Sequence, residues 1–405
     1  MKAKNLIFLI VFAVVLVGIA VKTSEKNSKS VPDIVGKPVF PELAVDQIEK
    51  IAISSHEGTA TVAIAGDIWV APDRYNHPAD FSKVKDYLVK LSNLNIGQVM
   101  KLTDKQKADL RIVPPSATGK NTGTLVEMYG KGNSVLASVL IGEARMKKPA
   151  GEEPDYYGGF ADGQYLSSDG GKSVYLVNTA FNEMPLTSQK WLDADIVNVM
   201  SSDIKEITIA GPGRKDVKLL RKSDGSPLEV EGIATNEVTA ASKIYSVESA
   251  LTYFKMDDLA DPMLGADKTG LDKPIIFKAV TQKGETYSAK IGGKKEGTDY
   301  RYCKLEVTLK EAEKQQAPKD DAEKKKQEET AKARKELEDK TKSLNDKLVK
   351  WTYLIASQKV ETMTPLRETL IEKKQEEKKE DGKQPGGTDT AGNSENKSEP
   401  VSAEK

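Results

Sequence analysis

Few side chains in this sequence are of the kinds that carry out catalysis. There are two histidines, His56 and His77, and one cysteine, Cys303. A histidine-based metal site would need both rings to converge with carboxylates, but His56 lies in a predicted tight turn and His77 precedes a proline in a loop. A single cysteine excludes an intrachain disulfide and a zinc site made of several cysteines, so we expect Cys303 to act as a small buried apolar residue.

Four aspartates are the nearest approach to a catalytic group. Paired carboxylates can hydrolyse glycosidic bonds by acid and base catalysis, so a hydrolase that uses this acidic cluster is one hypothesis. Aspartate is equally the common residue of turns and helix caps, and we favour that structural role. The four residues are Asp162, Asp169, Asp193 and Asp195.

Motifs for nucleotide binding and hydrolysis are missing from the sequence. It has no G-x-S-x-G, Walker, dinucleotide-binding or H-E-x-x-H pattern. The stretch Gly211-Pro212-Gly213-Arg214 looks like a phosphate loop but lacks the Lys-Ser or Lys-Thr that should follow, and a hairpin turn explains it better. We therefore predict a protein that is not an enzyme, with no catalytic residues, no cofactor and no metal.

Aromatic residues could instead line a binding site. Trp69, Trp191 and Trp351 each lie at the end of a predicted strand or on a predicted helix, which favours a packing role. A polar cleft between two units, lined by Tyr156, Tyr157 and Trp191, would make an envelope ligand-binding protein, which is a second hypothesis. Basic and acidic residues number 61 each, so the net charge gives no argument for nucleic-acid binding.

The elements that must position these residues are predicted around Gly270 to Gly292. This stretch contains a G-L-D-K-P turn, a strand rich in β-branched residues, a Lys-Gly turn and a return strand that ends in Ile-Gly. Together they predict a β-hairpin. A similar hairpin runs from Thr124 to Gly142, about 150 residues earlier, but the turn before it lacks the glycine.

A second match lies upstream of each hairpin. Ile48 to Ile53 and Ile204 to Ile209 share the spacing I-x-x-I-x-I. Each is followed by a hairpin and then by a helix, predicted over Asp80 to Leu94 and Asn236 to Phe254 because their apolar residues recur every three or four positions. Four matched features in one order indicate an internal duplication. The predicted fold class is α+β, with two tandem units of mostly antiparallel sheet and packed helices.

The N-terminus carries an apolar run from Leu6 to Val21 behind Lys2 and Lys4. Its length lies between that of a membrane-spanning helix and that of a cleaved signal peptide, and both interpretations export the rest of the chain. We favour a transmembrane anchor in residues 1–23, in a single-pass protein of a bacterial inner membrane whose bulk is periplasmic. No cysteine follows the run, which excludes a lipoprotein anchor.

Composition divides the remaining chain. A run of Lys, Glu, Asp, Gln and Ala at 310–347 predicts a solvated charged helix inserted in a surface loop. Its apolar series of Leu337, Leu344 and Leu348 suffices for a short hairpin or a partner contact but not for a long coiled coil. Phe181 to Met200 is predicted as a helical connector. The predicted boundaries are a linker at 24–43, a first unit at 44–190, a connector at 191–200, a second unit at 201–372 that includes the insertion, and a disordered tail at 373–405.

Several of these features resemble a bacterial family known as the domain of unknown function 4340. They are the I-x-x-I-x-I strand, Trp69 followed by Pro72 and an amphipathic helix, the G-L-D-K-P turn at Gly270, and the strand end at Ile291-Gly292. The resemblance covers about residues 44–372, twice over, without the insertion. Its most specific motif is G-L-D-x-P after a helix, from which the first copy departs.

This resemblance implies an N-terminal transmembrane helix and, by gene association, a partnership with ABC-type export systems, including those linked to gliding motility. The family has no assigned catalytic residues, so none transfers to this chain. We therefore expect a non-enzymatic extracytoplasmic accessory or scaffold protein of a membrane complex, with subunits of an ABC-type transport system as its protein partners. The ligand-binding protein and the hydrolase are the alternatives.

Overall fold

A computed structural model describes residues 34–115, 119, 121–147, 160–311 and 320–374. The predicted anchor, the first half of the predicted linker, most of the predicted tail, and the pair Tyr156 and Tyr157 lie outside these ranges. The described chain is mixed α+β with mostly antiparallel sheets and few helices, as the sequence predicted. No helix within it is both long enough and apolar enough to cross a bilayer.

A nine-stranded antiparallel sheet forms the first unit. Its strands are β1 (Lys50–Ser54), β2 (Thr59–Ala65), β3 (Ile68–Ala71), β4 (His77–Pro78), β5 (Ile96–Met100), β6 (Thr124–Tyr129), β7 (Val135–Lys147), β8 (Phe160–Ser167) and β9 (Val174–Val177). Their spatial order is β4-β3-β2-β1-β6-β7-β8-β9-β5. Successive strands are therefore mostly neighbours, and β5 lies at the far edge beside β9.

An eight-stranded antiparallel sheet forms the second unit, with two pairs of short strands besides. In chain order these strands are β10 (Asp195–Val197), β11 (Ile204–Ala210), β12 (Val217–Arg221), β13 (Leu228–Val230), β14 (Glu237–Thr239), β15 (Phe254–Lys255), β16 (Asp258–Leu259), β17 (Ile275–Thr281), β18 (Glu285–Lys294), β19 (Tyr300–Leu309), β20 (Tyr353–Ala356) and β21 (Ile371–Lys373). The large sheet has the order β13-β12-β11-β17-β18-β19-β20-β16, and the short pairs are β10-β15 and β14-β21.

The two large sheets have the same strand order. When β1 is matched to β11, each remaining strand of the second sheet has a counterpart at the same place in the first sheet. The matched strands run from β3 and β13 on one side to β5 and β16 on the other. The two predicted hairpins occupy the equivalent pairs β6-β7 and β17-β18. This equivalence is what an internal duplication predicts.

Six α-helices lie in the described part of the chain. They are α1 (Phe81–Ser92), α2 (Asp104–Asp109), α3 (Ala241–Glu248), α4 (Ala266–Thr269), α5 (Asp321–Leu348) and α6 (Ser357–Met363). The helix α3 is shorter than the predicted Asn236 to Phe254, because both ends of that segment pair as the strands β14 and β15.

The predicted helical connector from Phe181 to Met200 is wrong. It contains only a 3-10 turn at Ser188–Trp191 and the strand β10, which pairs with β15. The proline at position 185 disfavours helix in the residue before it, and strand pairing fixes the later part. The segment therefore runs over the first unit in an extended form and leads directly into the second.

Each unit has its own apolar core. Val84, Leu88 and Leu91 of α1 belong to the core of the first sheet, and Ile244 and Val247 of α3 belong to that of the second. Burying each such side chain contributes about 2 kcal/mol to folding. Trp191 lies in the first core and the adjacent Leu192 in the second, which Ala71 of the first unit also joins.

The G-L-D-K-P turn packs against the strand that ends its hairpin. Gly270 has a φ of +69°, and a Cβ on Gly292 would lie only 2.1 Å from the carbonyl oxygen of the residue before Gly270. In the first unit Arg111, with a φ of 52°, takes the left-handed position. A Cβ on Gly142 would there lie 2.3 Å from the carbonyl oxygen that precedes Arg111. The first copy thus keeps the contact although it lacks the turn glycine.

The predicted charged insertion is partly built into the second unit. The last turns of α5 pack on β19, where Thr341 and Leu348 are buried and Leu344 is partly buried. The Asn345 Oδ1 atom accepts a hydrogen bond of 3.0 Å from the backbone N–H of Val307. The prediction of a solvated helix therefore holds for the first half of α5, where nearly every described residue is exposed, and not for the second half.

The described end of the predicted linker lies along β5. Gly36 N–H donates to the Ile96 carbonyl oxygen at 2.7 Å, and Ile96 N–H donates to the Lys37 carbonyl oxygen at 3.0 Å. Val39 is buried in the first core. Residues 36–39 therefore cover part of an edge strand whose backbone groups would otherwise be open to pairing.

Polar and aromatic pairs join the two units. The Arg74 Nε atom lies 3.4 Å from the Asp258 Oδ1 atom. The His77 ring meets the Trp351 ring edge-on, with 4.8 Å between centroids. The Gln189 side chain donates to a carbonyl oxygen of the second unit at 2.5 Å. These three contacts link the first unit to the second.

Candidate functional site

An open groove lies beside α1 in the first unit. Its volume is about 830 Å³. One wall is α1, and the other is the irregular segment 178–191 that follows β9. We call it the α1 groove. Two other cavities of the described residues are smaller, at about 350 and 230 Å³.

The sequence around α1 sets which of its residues reach the groove. The Asp80 side chain accepts hydrogen bonds of 3.0 and 3.2 Å from two backbone N–H groups of the first turn, which caps the helix. Val84, Leu88 and Leu91 then hold one face on the sheet. Tyr87 lies beside this apolar face, so its ring forms part of the groove floor.

Three aromatic rings form the floor of the α1 groove. Trp191 is 1% exposed, and its Nε1 atom donates to the Pro185 carbonyl oxygen at 2.9 Å. Tyr87 meets Trp191 at a centroid distance of 5.2 Å and Phe181 at 6.1 Å, both edge-on. Edge-on aromatic pairs are favourable and orient the rings firmly. The floor is therefore apolar and well packed.

The Tyr87 hydroxyl is an unusual feature of this floor. Tyr87 is 8% exposed, and its Oη atom has no hydrogen-bond partner among the described residues. Burial raises the pKa of Tyr87 well above its usual value, so the group stays a neutral donor. A buried hydroxyl without a partner costs about 1–3 kcal/mol.

Two lysines of α1 are held by the opposite wall. The Lys90 Nζ atom donates to the Ala180 carbonyl oxygen at 2.6 Å and lies 4.5 Å from the centre of the Phe181 ring. Burial lowers the pKa of Lys90. The Lys83 Nζ atom donates to the Lys190 carbonyl oxygen at 3.2 Å and pairs with the capping aspartate of α1 at 3.5 Å. Both ammonium groups are therefore committed within the chain.

The acidic groups of the groove rim are less engaged. Asp86 on α1 and Glu183 on the opposite wall form no ion pair within the described part of the chain. Glu57 lies 3.9 Å from the His56 ring, which carries a charge only when protonated. Among the described residues, the Nζ atom of Lys190 has no hydrogen-bond or ion-pair partner. The available charge of the rim is therefore mainly negative, above an apolar floor.

The second unit contains the equivalent of each wall. The Asp80 N–H at the start of α1 donates to the Trp191 carbonyl oxygen at 2.8 Å, and the Ala240 N–H at the start of α3 donates to the Leu370 carbonyl oxygen at 2.9 Å. The segment from the end of β20 to Leu370 has the same length as that from the end of β9 to Trp191. In the second unit this segment forms the helix α6, which packs on α3.

The histidines and the cysteine lie apart from the groove floor. His77 is buried against Trp351 between the units, and burial lowers its pKa. His56 lies in the turn between β1 and β2, as predicted, whereas His77 lies on the strand β4 and not in the predicted loop. Cys303 is 1% exposed, as the sequence predicted, and burial raises the pKa of its thiol to about 12. In the described ranges no three His, Cys, Asp or Glu residues are grouped so as to hold a metal ion.

Each aspartate of the predicted acidic cluster has its own structural partner. Asp162 pairs with the Arg145 guanidinium at 2.7 Å, which holds the pKa of that carboxyl below its usual range. Asp169 accepts hydrogen bonds within the β8–β9 turn. Asp193 accepts from the N–H of Asp195 at 3.3 Å, and Asp195 pairs with a lysine at 2.9 Å. Asp169 and Asp193 therefore have the local turn role that we favoured, whereas Asp162 on β8 and Asp195 on β10 form ion pairs on strands.

The other motifs are also structural. Gly213 has a φ of +69° in a turn, and the Arg214 guanidinium donates to the Thr364 carbonyl oxygen at 3.1 Å. Trp69 packs on the first core and Trp351 on the second. Trp191 does line a cavity, but that cavity is the α1 groove within the first unit and not a cleft between the units.

A separate, smaller cavity lies between the units. It has a volume of about 230 Å³ and is lined by Arg74 and Tyr75 from the first unit and by Asp258, Asp261 and Lys295 from the second. Its charged groups include the ion pair that joins the units. This cavity belongs to the junction of the two units.

Sequence reasoning missed Tyr87, Phe181 and Lys90 as groove residues. The helical periodicity predicted the buried face of α1 but gave no reason to single out Tyr87. Phe181 and Met184 have the same spacing as Val360 and Met363 at the equivalent positions of the second copy. An internal alignment of 178–191 with 357–370 would have revealed that the two copies share this segment.

Comparison with known proteins gives a family for the chain. Residues 69–274, about half of the sequence, match the family described as a domain of unknown function, DUF4340. The match begins on β3 and ends at the proline of the G-L-D-K-P turn, so it crosses from the first unit into the second. No curated protein and no solved structure matches the chain significantly. The chain belongs to the DUF4340 family.

Proposed function

We propose that this chain is a non-enzymatic, membrane-tethered accessory protein outside the cytoplasm that binds a protein partner in an ABC-type transport system. The observation that carries the proposal is the α1 groove, an open surface with an aromatic floor and a charged rim. Apolar surfaces edged by polar groups, with aromatic residues at their centre, are typical of protein-binding sites. The proposal assigns no catalytic residue.

The membrane tether is supported by the sequence of residues 1–23. An apolar run from Leu6 to Val21 behind two lysines suits insertion with the N-terminus in the cytoplasm. The sheet units would then lie on the far side of the membrane. The exposed first half of α5, in the second unit, would offer a separate charged contact surface.

The experiment is crosslinking in intact membranes of the source cells. The tagged full-length chain is crosslinked, purified from detergent extract and analysed by mass spectrometry. We expect to recover transporter subunits in stoichiometric amounts with the tagged chain. In the control, which omits the crosslinker and is purified at high salt, the recovery of these subunits should fall to background. Recovery of the chain alone, as a soluble species without its leader, would contradict both the tether and the partner.

A second candidate function is an envelope ligand-binding protein. The volume of the α1 groove lies within the range of small-molecule sites, about 300–1,000 Å³. Binding to the folded state raises the melting temperature, so a panel of envelope sugars and peptides would reveal a ligand by thermal shift. A shift that is lost when Phe181 is changed to alanine would favour this candidate over a protein partner.

A further inference from the structure

A buried histidine lies at the junction between the two units. His77 on β4 is 6% exposed, and its ring meets the ring of Trp351 from the second unit edge-on, with 4.8 Å between centroids. We infer that this ring pair makes the junction sensitive to pH, so that neutral His77 holds the two units together and its protonation loosens them. Neither residue lines the α1 groove, so the inference goes beyond the proposed function and does not depend on it.

The strand that carries His77 contacts both units. On one side β4 pairs with β3, where His77 lies opposite Ala71. On the other side Ala79, the residue after β4, forms a bridge with Leu192. Ala71 and Leu192 both belong to the core of the second unit. A displacement of His77 therefore reaches the apolar contacts that join the units.

The backbone before β4 is strained. Tyr75 and Asn76 take φ values of 59° and 58°, in the left-handed region that residues other than glycine disfavour. Such conformations persist only where surrounding contacts impose them. The strand β4 is therefore held in place by its contacts, the pair of His77 and Trp351 among them, and not by local preference.

The hydrogen bond of the His77 ring determines where a second proton can be added. The Nδ1 atom lies 2.9 Å from the Pro78 carbonyl oxygen. Since a carbonyl oxygen can only accept, Nδ1 carries the proton of the neutral ring, and Nε2 is the atom that gains the second proton. Nε2 has no hydrogen-bond partner among the residues that the structure describes. Protonation would thus place a charge at the junction without an acceptor for the new N–H group.

Charged groups surround His77, but they leave its pKa lowered. They are Asp73, Arg74, Asp80, Asp193, Lys350 and Asp258. Asp258 is paired with Arg74, Asp80 is paired with a lysine of α1, and Asp73 and Lys350 are exposed. Burial lowers the pKa of His77, and the Pro78 carbonyl group and the Asp193 carboxylate, which favour the protonated ring, offset this only in part.

Acid should loosen the junction because the pKa of His77 is lowered. A histidine that is open to water has a pKa of about 6.5. The joined units therefore bind fewer protons than a loosened arrangement in which the ring is exposed. The stability of the junction is complete above about pH 6.5 and falls as the pH decreases below that value.

The distance between the units, measured against pH, tests this inference. Spin labels are attached to the full-length protein through Lys85→Cys on α1 and Lys243→Cys on α3, both at exposed positions. The buried Cys303 stays unlabelled. Pulsed electron spin resonance then gives the distribution of label distances. We expect one narrow distribution at about pH 7.5 and a distribution at least about twice as broad at about pH 5.

The protein has two histidines, so the second supplies the matched control. His56 is exposed in a turn, and His56→Gln should keep the response to pH. His77→Gln keeps a hydrogen-bond donor but takes up no proton, so it should give the same distribution at both pH values. An unchanged response in His77→Gln, or loss of the response in His56→Gln, would overturn the inference.

Nuclear magnetic resonance of protein that contains ¹³C-labelled histidine supplies a readout that needs no change at His77. The imidazole signal that remains in His56→Gln belongs to His77. Its titration midpoint should lie below about pH 6.5 and coincide with the midpoint of the distance change. Distances that stay constant down to about pH 5, or that change with a midpoint different from that of the His77 signal, would show that His77 does not control the junction.

Discussion

The change Gly292→Ala should destabilise the protein by about 3 kcal/mol, although it adds a single methyl group. The new Cβ would lie 2.1 Å from the carbonyl oxygen of Thr269, the last residue of α4, which directly precedes Gly270. Backbone cannot yield as a flexible side chain can, so the turn must move away from β18. The measurement is the free energy of unfolding of the protein in urea.

Gly293 is the matched control for this prediction. It is the next residue on β18, and a Cβ there would have its nearest neighbour at 3.7 Å, an ordinary contact. We expect Gly293→Ala to change stability by less than about 1 kcal/mol. Equal effects of the two substitutions would show that the close approach of turn and strand is not a feature of the folded protein.

The change Glu248→Ala should cost about 3–5 kcal/mol, because it leaves a buried guanidinium without its partner. The side chains of Arg221 and Glu248 are 7% and 10% exposed, and their charged atoms lie 3.2 Å apart. The same carboxylate accepts from the Leu228 N–H at 2.9 Å. The Arg221 guanidinium also donates to three backbone carbonyl groups around the start of the second sheet. An Arg221 charge that is no longer neutralised by Glu248 would therefore disturb several segments of the sheet.

A surface pair in the same sheet is the control for that prediction. Lys222 and Glu229 are 2.6 Å apart, but their side chains are 72% and 42% exposed. Exposed pairs contribute about 0–1 kcal/mol, so Glu229→Ala should have little effect on urea unfolding. If Glu248→Ala were as mild as Glu229→Ala, the buried ion pair would not exist as described.

The sequence contained enough to predict the fold class and much of the core. The I-x-x-I-x-I strands place Ile51 and Ile53 in one core and Ile207 and Ile209 in the other. Apolar residues that recur every two positions in a strand, or every three to four in a helix, mark the face that is buried. This pattern can be read from one sequence because it involves only residues that are close together in the chain. The two hairpins were predictable for the same reason, and so was the capped helix α1.

Other features depend on contacts between distant residues. The segment from Phe181 to Met200 was predicted as helix, yet it is extended, while the matching segment in the second copy is helical from Ser357 to Met363. The two have the same apolar spacing, so periodicity cannot separate them. The proline after Met184 and the fit of each segment on its sheet decide the outcome.

The turn at Arg111 shows the same limit. The sequence suggested that the first copy had lost the turn because it lacks a glycine equivalent to Gly270. Instead the arginine adopts a φ of 52° and pairs with Glu143 at 2.6 Å. The surrounding strands impose a left-handed conformation that local preference disfavours. The α1 groove could not be predicted from the sequence either, because Tyr87 and Phe181, which meet in its floor, lie far apart in the chain.

The most direct test of the account compares thiol labelling at two equivalent positions, Met184→Cys and Met363→Cys. Wild-type protein should stay unlabelled by a maleimide, because Cys303 is buried and its pKa is raised to about 12. We expect the first variant to react at least about a hundredfold faster than the second, whose site becomes accessible only when the structure opens. Equal rates in the folded variants would show that the groove is closed in the first unit, and the docking account would fall.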